Sequence, residues 1–197
     1  MDMAKDLQNF AQDAALLTAY ANGDPDAARD LAHRIVPRIL GYATRTLGDR
    51  AEAEDIAQEV MLRLWRAAPE WRAGEAQVTT WAYRVAVNLC TDRLRAKRRR
   101  RSEALDTVAE PEDGSIPAVD GMIEADRQAA LTRALADLPD RQRQAVVLRH
   151  IEGLANPEIA AILHVGVEAV ESLIARGKRA LTAALATRRK DLGYEEA

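Results

Sequence analysis

Just past residue 101 the charge of this chain reverses, and no other feature constrains its fold more. Between positions 84 and 101 stand eight basic residues (Arg84, Arg93, Arg95, Lys97, Arg98, Arg99, Arg100 and Arg101) against one acid, Asp92. Between positions 102 and 126 stand eight acids (Glu103, Asp106, Glu110, Glu112, Asp113, Asp120, Glu124 and Asp126) and no base. The acidic stretch also carries Pro111, Gly114, Pro117 and Gly121 with few large apolar residues, so it cannot bury enough surface to offset its ordering entropy. It reads as a flexible linker, residues 102–122. The chain is therefore expected to form two small units, residues 1–101 and 123–186, with a tail at 187–197. No internal repeat is visible.

Both units read as helical. Apolar residues make up 48% of the 197, aromatics only 4%, and alanine, leucine, arginine and glutamate dominate. These are strong helix formers, and β-branched alternation is scarce, which predicts an all-α, globular chain. No apolar run approaches the roughly 20 residues of a membrane span, and the first ten residues lack the apolar centre of a signal peptide. Cys90 is the single cysteine, which excludes an intrachain disulfide and a thiolate zinc site. A reducing cytoplasm is the expected location. The net charge of −3 taken alone argues against nucleic acid, but the sign asymmetry makes that sum misleading.

Helical periodicity places four segments in the first unit. A short one at 13–21 stops at Asn22-Gly23. The next starts after Asp24 with Pro25 in its first turn, carries Leu31, Ile35, Ile39 and Leu40 on one face, and ends at Gly48; Pro37 inside it is expected to kink it. From Asp49, residues Ile56, Val60, Leu64 and Trp65 recur up to Pro69. After a polar loop at 70–79, a last helix at 80–99 is expected to bury Trp81, Val85, Leu89 and Leu94. The second unit reads as helices at 125–135, 139–150, 157–163 and 167–185, broken at Asp137-Leu138-Pro139 and Gly153.

Three segments carry functional signals. The run from Leu154 to Val170 describes two helices joined by a tight turn, with small Ala160 and Ala161 at the close approach. Asn156 can cap the first of these helices, Pro157 suits its first position, Val165 fills the core at the turn and Val170 anchors the second. That second helix offers Ser172, Arg176, Lys178 and Arg179 to a DNA groove or its phosphates. An ordinary helical hairpin in a bundle is the alternative. The second signal is the helix from Val78, where Trp81 and Tyr83 alternate with Arg84, Asn88, Arg93 and Arg95 before the arginine run. Aromatics can stack on unpaired bases and arginines can hold the backbone, although a core tryptophan with a solvated basic face reads equally well. The third is a strip of Asp55, Gln58, Glu59 and Leu62 on adjacent turns of one helix.

In this order the three blocks resemble the extracytoplasmic-function (ECF) group of sigma factors, the smallest members of the sigma-70 family. The resemblance runs from about Leu16 to Leu185. It implies two small helical domains: a sigma region 2 bundle and a sigma region 4 helix-turn-helix. Glu54-Asp55-Ile56-Ala57-Gln58-Glu59-Val60 with Leu62 and Trp65 looks like the helix that docks on core RNA polymerase, so Asp55, Gln58, Glu59 and Leu62 would bind it. Thr80-Trp81-Ala82-Tyr83-Arg84-Val85-Ala86 with Asn88 looks like the segment that melts and reads the minus-ten element. The loop from Trp71 to Val78 would capture a flipped base beside Trp81 and Asn88, while Arg84, Arg93 and Arg95 would hold the backbone. Leu138-Pro139-Asp140-Arg141-Gln142-Arg143 and the helix-turn-helix match the minus-thirty-five domain, with Ser172 and Arg176 reaching that element. The implied partners are core polymerase, promoter DNA and an inhibitory anti-sigma protein that wedges between or clamps the two domains. No cofactor, metal, small-molecule substrate or membrane insertion is implied. The acidic linker would thread a basic polymerase channel.

The chain departs from the family pattern at His164, where glycine is usual and a positive φ is expected, and at Gly166, where a serine or threonine cap is usual. Glu168 and Glu171 add negative charge beside DNA. Three rival functions compete. A stand-alone regulator would leave the Asp55 and Trp81 helices without a purpose. A sigma mimic that binds only an antagonist is disfavoured by Asn88, Arg176 and the basic run. An enzyme is the weakest: His33, His150 and His164 lack metal-ligand spacing, no phosphate-binding glycine loop exists, and Cys90 reads as a buried small hydrophobe. The sequence leaves open how the two units sit against each other.

Overall fold

The structure is a computed structural model that describes residues 3–72, 74, 77–103 and 119–186. Most of the expected linker and the whole 187–197 tail lie outside the described residues. Eight α-helices and no strand occur among those described: α1 (Met3–Ala21), α2 (Pro25–Leu47), α3 (Arg50–Ala67), α4 (Val78–Glu103), α5 (Val119–Ala136), α6 (Asp140–His150), α7 (Asn156–Leu163) and α8 (Val167–Ala186). Each expected helix is present. α1 begins ten residues earlier than periodicity suggested, and α4 and α5 extend into both ends of the segment read as linker.

Local chemistry sets the boundaries. The Asp24 carboxylate accepts from the backbone N–H groups of Asp26 (2.9 Å) and Ala27 (3.3 Å), with Pro25 in the first turn of α2. Such a cap contributes about 1 kcal/mol. Gly48 closes α2 in the left-handed region, φ 69°, donating to the Thr44 carbonyl. Asp49 then caps α3 through Glu52 N–H. Pro37, expected to kink α2, lies on its exposed side, and the helix continues through it. The first unit's core is built on Leu17 of α1, Leu31, Ile35, Ile39 and Tyr42 of α2, and Ile56, Val60 and Leu64 of α3, all 2% exposed or less.

The α4 register differs from expectation. Trp81, Val85, Leu89 and Leu94 are only half-buried, whereas Ala82, Tyr83, Ala86, Val87 and Cys90 are the enclosed residues. The cause is neighbours on two sides. α4 touches α2 and α3 on one flank and α7 on the other, so the face turned to them is enclosed, Tyr83 included, while Trp81, Val85 and Leu89 fall on the rim.

In the second unit α6 is central. Six consecutive residues, from Arg143 to Leu148, are buried, because α8, α7 and α2 all pack on this helix. α8 crosses it closely at Gly177, where an added Cβ would lie 2.6 Å from a Val146 methyl. The two units are docked: α2 meets α5 and α6, α4 meets α7, and one apolar core is continuous through both.

Candidate functional site

The strip expected on α3 is an exposed stripe. Asp55, Gln58 and Leu62 face solvent, Glu59 is partly covered, and the four recur at the spacing that puts them on one helix face. Glu59 accepts from Arg63 Nε at 2.7 Å, and Asp55 lies 3.9 Å from Arg93 of α4. Leu62 is 48% exposed, one of two large hydrophobics left in solvent among the described residues. Beside it an open groove between α2 and α3, of ≈ 420 Å³, is lined by Val36, Leu40, Met61, Leu62 and Trp65. The charged stripe thus borders an apolar groove, with Leu62 shared by both.

The start of α4 is positioned from below. Thr79 Oγ1 donates to Asp13 Oδ2 at 3.0 Å, and Arg34 Nε donates to the other oxygen of the same carboxylate. Asp13 is 2% exposed, so α1, α2 and α4 meet on one buried acid. Sequence reasoning placed Asp13 merely at a helix start, because nothing local marks an acid whose partners lie 21 and 66 positions away. Above it Trp71 and Trp81 meet edge to face with centroids 6.0 Å apart, and the Trp71 indole N–H is buried without a partner. Val78 is 1% exposed and belongs to the core under this corner. Residues 73, 75 and 76 of the intervening loop are outside those described.

Further along α4 the candidate DNA groups split. Arg95 and Asn88 are exposed, and both line a cleft with Gln144, Arg141 and His164 of the second unit. Arg84 Nη2 donates across the same junction to the Ala161 carbonyl at 3.2 Å. Tyr83, read as a possible stacking residue, is fully buried, and its hydroxyl donates to Glu152 Oε2 at 2.7 Å. Burial, reinforced by the neighbouring carboxylate, pushes the Tyr83 phenol well above its usual range. Glu152 is itself raised by burial, against lowering contributions from Tyr83, Arg45 and Arg38. Lys97 pairs with Glu52 at 2.8 Å, and Arg98 forms a two-pronged pair with Asp140 at 2.6 and 2.9 Å. Arg99 and Arg100 are exposed with no ion pair among the described residues. Cys90 is fully buried, and burial, with Glu52 nearby, raises its thiol to about 12, so it is an inert core residue.

In the helix-turn-helix, two details correct the sequence reading. Asn156 does not cap α7: it is the first helical residue, its side-chain oxygen has no partner, and Ala155 holds the cap position. Glu158 compensates by reaching back to accept from Ala155 N–H at 2.8 Å, the half of a capping box that needs no polar cap residue. Ala161 is exposed, so Ala160 alone serves the close helix contact. His164 does adopt the expected left-handed conformation, φ 54° and ψ 50°. Val165 and Val170 pack into the core as read. Ser172, Arg176, Lys178 and Arg179 are all exposed. At about 100° per residue, Ser172, Arg176 and Arg179 share one face, while Lys178 lies about 120° away. Val167, 36% exposed, is the second solvent-facing large hydrophobic and opens α8. No group of three potential ligands stands close enough to hold a metal, and no helix is long and apolar enough to cross a membrane, among the described residues.

Known proteins carry the same two halves in the same order. The sigma-70 region 2 model matches residues 31–100, and the sigma-70 region 4 model matches 128–181. The RNA polymerase sigma-H factor of Pseudomonas aeruginosa is 31% identical over 88% of this chain and 94% of its own. The ECF RNA polymerase sigma factor SigW of Bacillus subtilis is 32% identical over 81% and 89%. Among solved structures, CnrH, in complex with the cytosolic domain of CnrY, superposes with a TM-score of 0.68 at 25% identity, over 89% of this chain and 98% of that one. RpoE of Bartonella quintana, in complex with the anti-sigma factor NepR, is alike in fold at TM-score 0.64 and 22% identity, over 82% of this chain and 98% of that one. With relatives matching it nearly end to end, the helical bundle and the helix-turn-helix are regions 2 and 4 of one factor, and the chain belongs to the ECF group of the sigma-70 family.

Proposed function

We infer that this ECF sigma factor docks on core RNA polymerase through Asp55, Gln58, Glu59 and Leu62, and that α4 and α8 bring it to promoter DNA. The observation that carries this is the exposed α3 stripe with Leu62 beside an apolar groove. A regulator that used only its helix-turn-helix would not need that surface. On the minus-ten side, Trp71 and Trp81 form an aromatic corner for an unstacked base, with Val78 seated beneath it. Asn88, Arg84, Arg93 and Arg95 then follow the strand along α4. On the minus-thirty-five side, Ser172 and Arg176 address base edges from α8, Arg179 continues that face, and Lys178 is placed for a phosphate. Region 2 makes up residues 1–101, region 4 residues 123–186, and a linker between them tethers two weak DNA contacts so that each raises the effective concentration of the other. The factor works in the cytoplasm without a catalytic group or cofactor of its own. NepR, bound to the B. quintana factor, makes an anti-sigma protein the natural antagonist here too.

Run-off transcription with core polymerase on pooled promoter fragments tests the reading. Discrete transcripts are expected only when the protein is present, and Leu62→Ala, Trp81→Ala and Arg176→Ala are each expected to reduce them. Polymerase binding without transcription would replace this reading with the antagonist-binding mimic. A DNA complex formed without polymerase would replace it with the stand-alone regulator.

A further inference from the structure

α1 lies outside the stretch that the region 2 model matches, which begins at residue 31, and the proposed function gives this helix no task. Its inner face is nevertheless specific. Asp13, Leu17 and Tyr20 recur at the spacing of one helix face. Leu17 is fully buried, Asp13 is 2% exposed, and the Tyr20 ring meets Trp65 at the end of α3 with centroids 4.5 Å apart. We propose that α1 is the brace of the Trp71–Val78 loop. Asp13, acting through Thr79, is a positioning residue that sets how tightly the Trp71–Trp81 corner holds an unstacked base.

Three observations support the brace. The first is that α1 carries both stems of the loop. The chain leaves the short 3-10 turn Ala68–Glu70 to enter the loop and returns to helix at Val78, and α1 packs against this turn and against α4. The Trp71 N–H donates to the Ala68 carbonyl at 3.2 Å, so one ring of the corner is held by the first stem. Trp81 belongs to the second stem. The separation of the two rings therefore follows from how both stems sit on α1.

The second is the geometry of the Asp13 bond. Thr79, 2% exposed, donates from Oγ1 to Asp13 Oδ2 at 3.0 Å. At about 100° per residue, Thr79 and Trp81 lie about 200° apart around α4. The bond thus grips the buried side of the first turn while the indole is presented on the other side. The Trp81 N–H donates to the Gln77 carbonyl at 2.9 Å, and Thr80 Oγ1 donates to Gln77 Oε1 at 3.3 Å. A rotation of this turn would carry the end of the loop with it.

The third is the chemistry of the support. Arg34 Nε donates to the other oxygen of the same carboxylate, so a buried ion pair joins α1 and α2 to α4. Apolar side chains of similar volume would join three helices at least as firmly, because burying charge costs solvation. What the carboxylate adds is direction: it fixes the rotation of α4 through one hydroxyl, which a methyl contact does not.

The inference rests on the strand-binding reading of the corner, and its test keeps the two apart. Full-length protein with core polymerase is titrated with the non-template strand of a promoter recovered by run-off transcription. Copies of that strand carry an abasic nucleotide at each minus-ten position in turn, and core polymerase alone gives the background. In the parent one position should stand out, with a loss of about tenfold or more, the scale of a base stacked on an aromatic ring. Thr79→Val keeps the shape and removes the hydroxyl, and should cut that loss to about threefold or less. Thr79→Ser restores the donor and should return the loss to the parent's level. Asp13→Asn keeps an oxygen for Thr79 and gives up the charge paired with Arg34. It should lower the urea midpoint yet leave the abasic loss nearly intact. Unchanged binding of a minus-thirty-five duplex shows that each variant is folded. A Thr79→Val protein that keeps the parent's abasic loss would overturn the brace and leave Asp13 a strut of the fold. So would abasic losses that fall in step with the urea midpoint across all three variants. A parent in which no abasic position stands out would remove the corner's role on the strand, and the brace with it.

Discussion

The two helices proposed to meet DNA, α4 and α8, are held in different ways. α4 is flanked on both sides, its buried face sets Ala82, Ala86 and Cys90 beside Tyr83 and Val87, and Arg84 and Arg98 are engaged by the chain's own region 4. α8 rests on α5, α6 and α7, and Ser172, Arg176 and Arg179 are exposed without ion pairs among the described residues. The helix proposed for single strands is thus partly engaged within the chain, although Asn88, Arg93 and Arg95 stay exposed, and the helix proposed for duplex is presented.

The largest break in this comparison should come at the foot of α4. Asp13→Ala removes the acceptor shared by Thr79 and Arg34, and breaking such a buried pair costs about 3–5 kcal/mol when the survivor cannot rehydrate. Arg34 is 31% exposed and can, so about 2–3 kcal/mol is expected. Urea unfolding measures it. The parallel loss should be in minus-ten strand binding, with minus-thirty-five duplex binding retained by whatever protein remains folded. Equal loss at both elements would show that α4 and α8 are not independently positioned.

The matching test for α8 is Gly177→Ala. The added methyl would meet Val146 Cγ2 at 2.6 Å and the Gln142 carbonyl at 3.3 Å. Overpacking of this kind costs about 1–3 kcal/mol. Here duplex binding should suffer and strand binding should not. Adding Val146→Ala should recover part of the loss, since it removes the nearer of the two clashing atoms.

How far could these two helices be read from sequence? The existence of both was legible, since caps such as Asp24 and stops such as Gly48 are written locally, and so was the exposure of the Asp55, Ser172 and Arg176 faces. His164 could be placed in the left-handed region because it stands where the resembled family usually has glycine. The buried face of α4 was not legible. Trp81, Val85 and Leu89 make an apolar stripe, and they would be the core of a helix packed on that side only; at about 100° per residue Leu94 lies off this stripe, on the side of Tyr83 and Cys90. Nothing within the helix says that α7 will cover the other side. The roles of Asp13, Gln144 and Glu152 were hidden for the same reason: each is a polar residue whose partner lies 53 to 69 positions away (Thr79, Thr91 and Tyr83), and periodicity carries no information at that range. Asn156 shows the local limit. It has the composition of a cap, yet Glu158 supplies the hydrogen bond and shifts the boundary by one residue.

A finer contrast is expected between Arg176 and Asn88. A side chain that reads a base edge carries about 1–3 kcal/mol of discrimination. Arg176→Ala should therefore weaken minus-thirty-five duplex binding by that amount and leave strand binding unchanged. Asn88→Ala should weaken strand binding and leave duplex binding unchanged. Electrophoretic shifts of the two variants on the two probes give the four numbers. Equal losses on both probes from either variant would mean that the two helices do not address separate elements.

The smallest effect should be a dependence of stability on pH through Glu152. Burial raises its pKa in the folded state above the ordinary 4.5, with Tyr83 from α4 and Arg45 and Arg38 from α2 pulling it down by less. A group whose pKa is raised in one state binds its proton more tightly there. The fold therefore gains its full contribution from Glu152 below about 4.5 and loses it as pH rises through the folded-state value. The informative quantity is the difference in urea midpoint between parent and Glu152→Gln, followed from about pH 4.5 upward. The parent should lose stability relative to the amide variant as pH rises. A difference that does not change with pH would mean that Glu152 ionises alike in the folded and unfolded states, and its role would then be that of a hydrogen-bond acceptor for Tyr83 and nothing more.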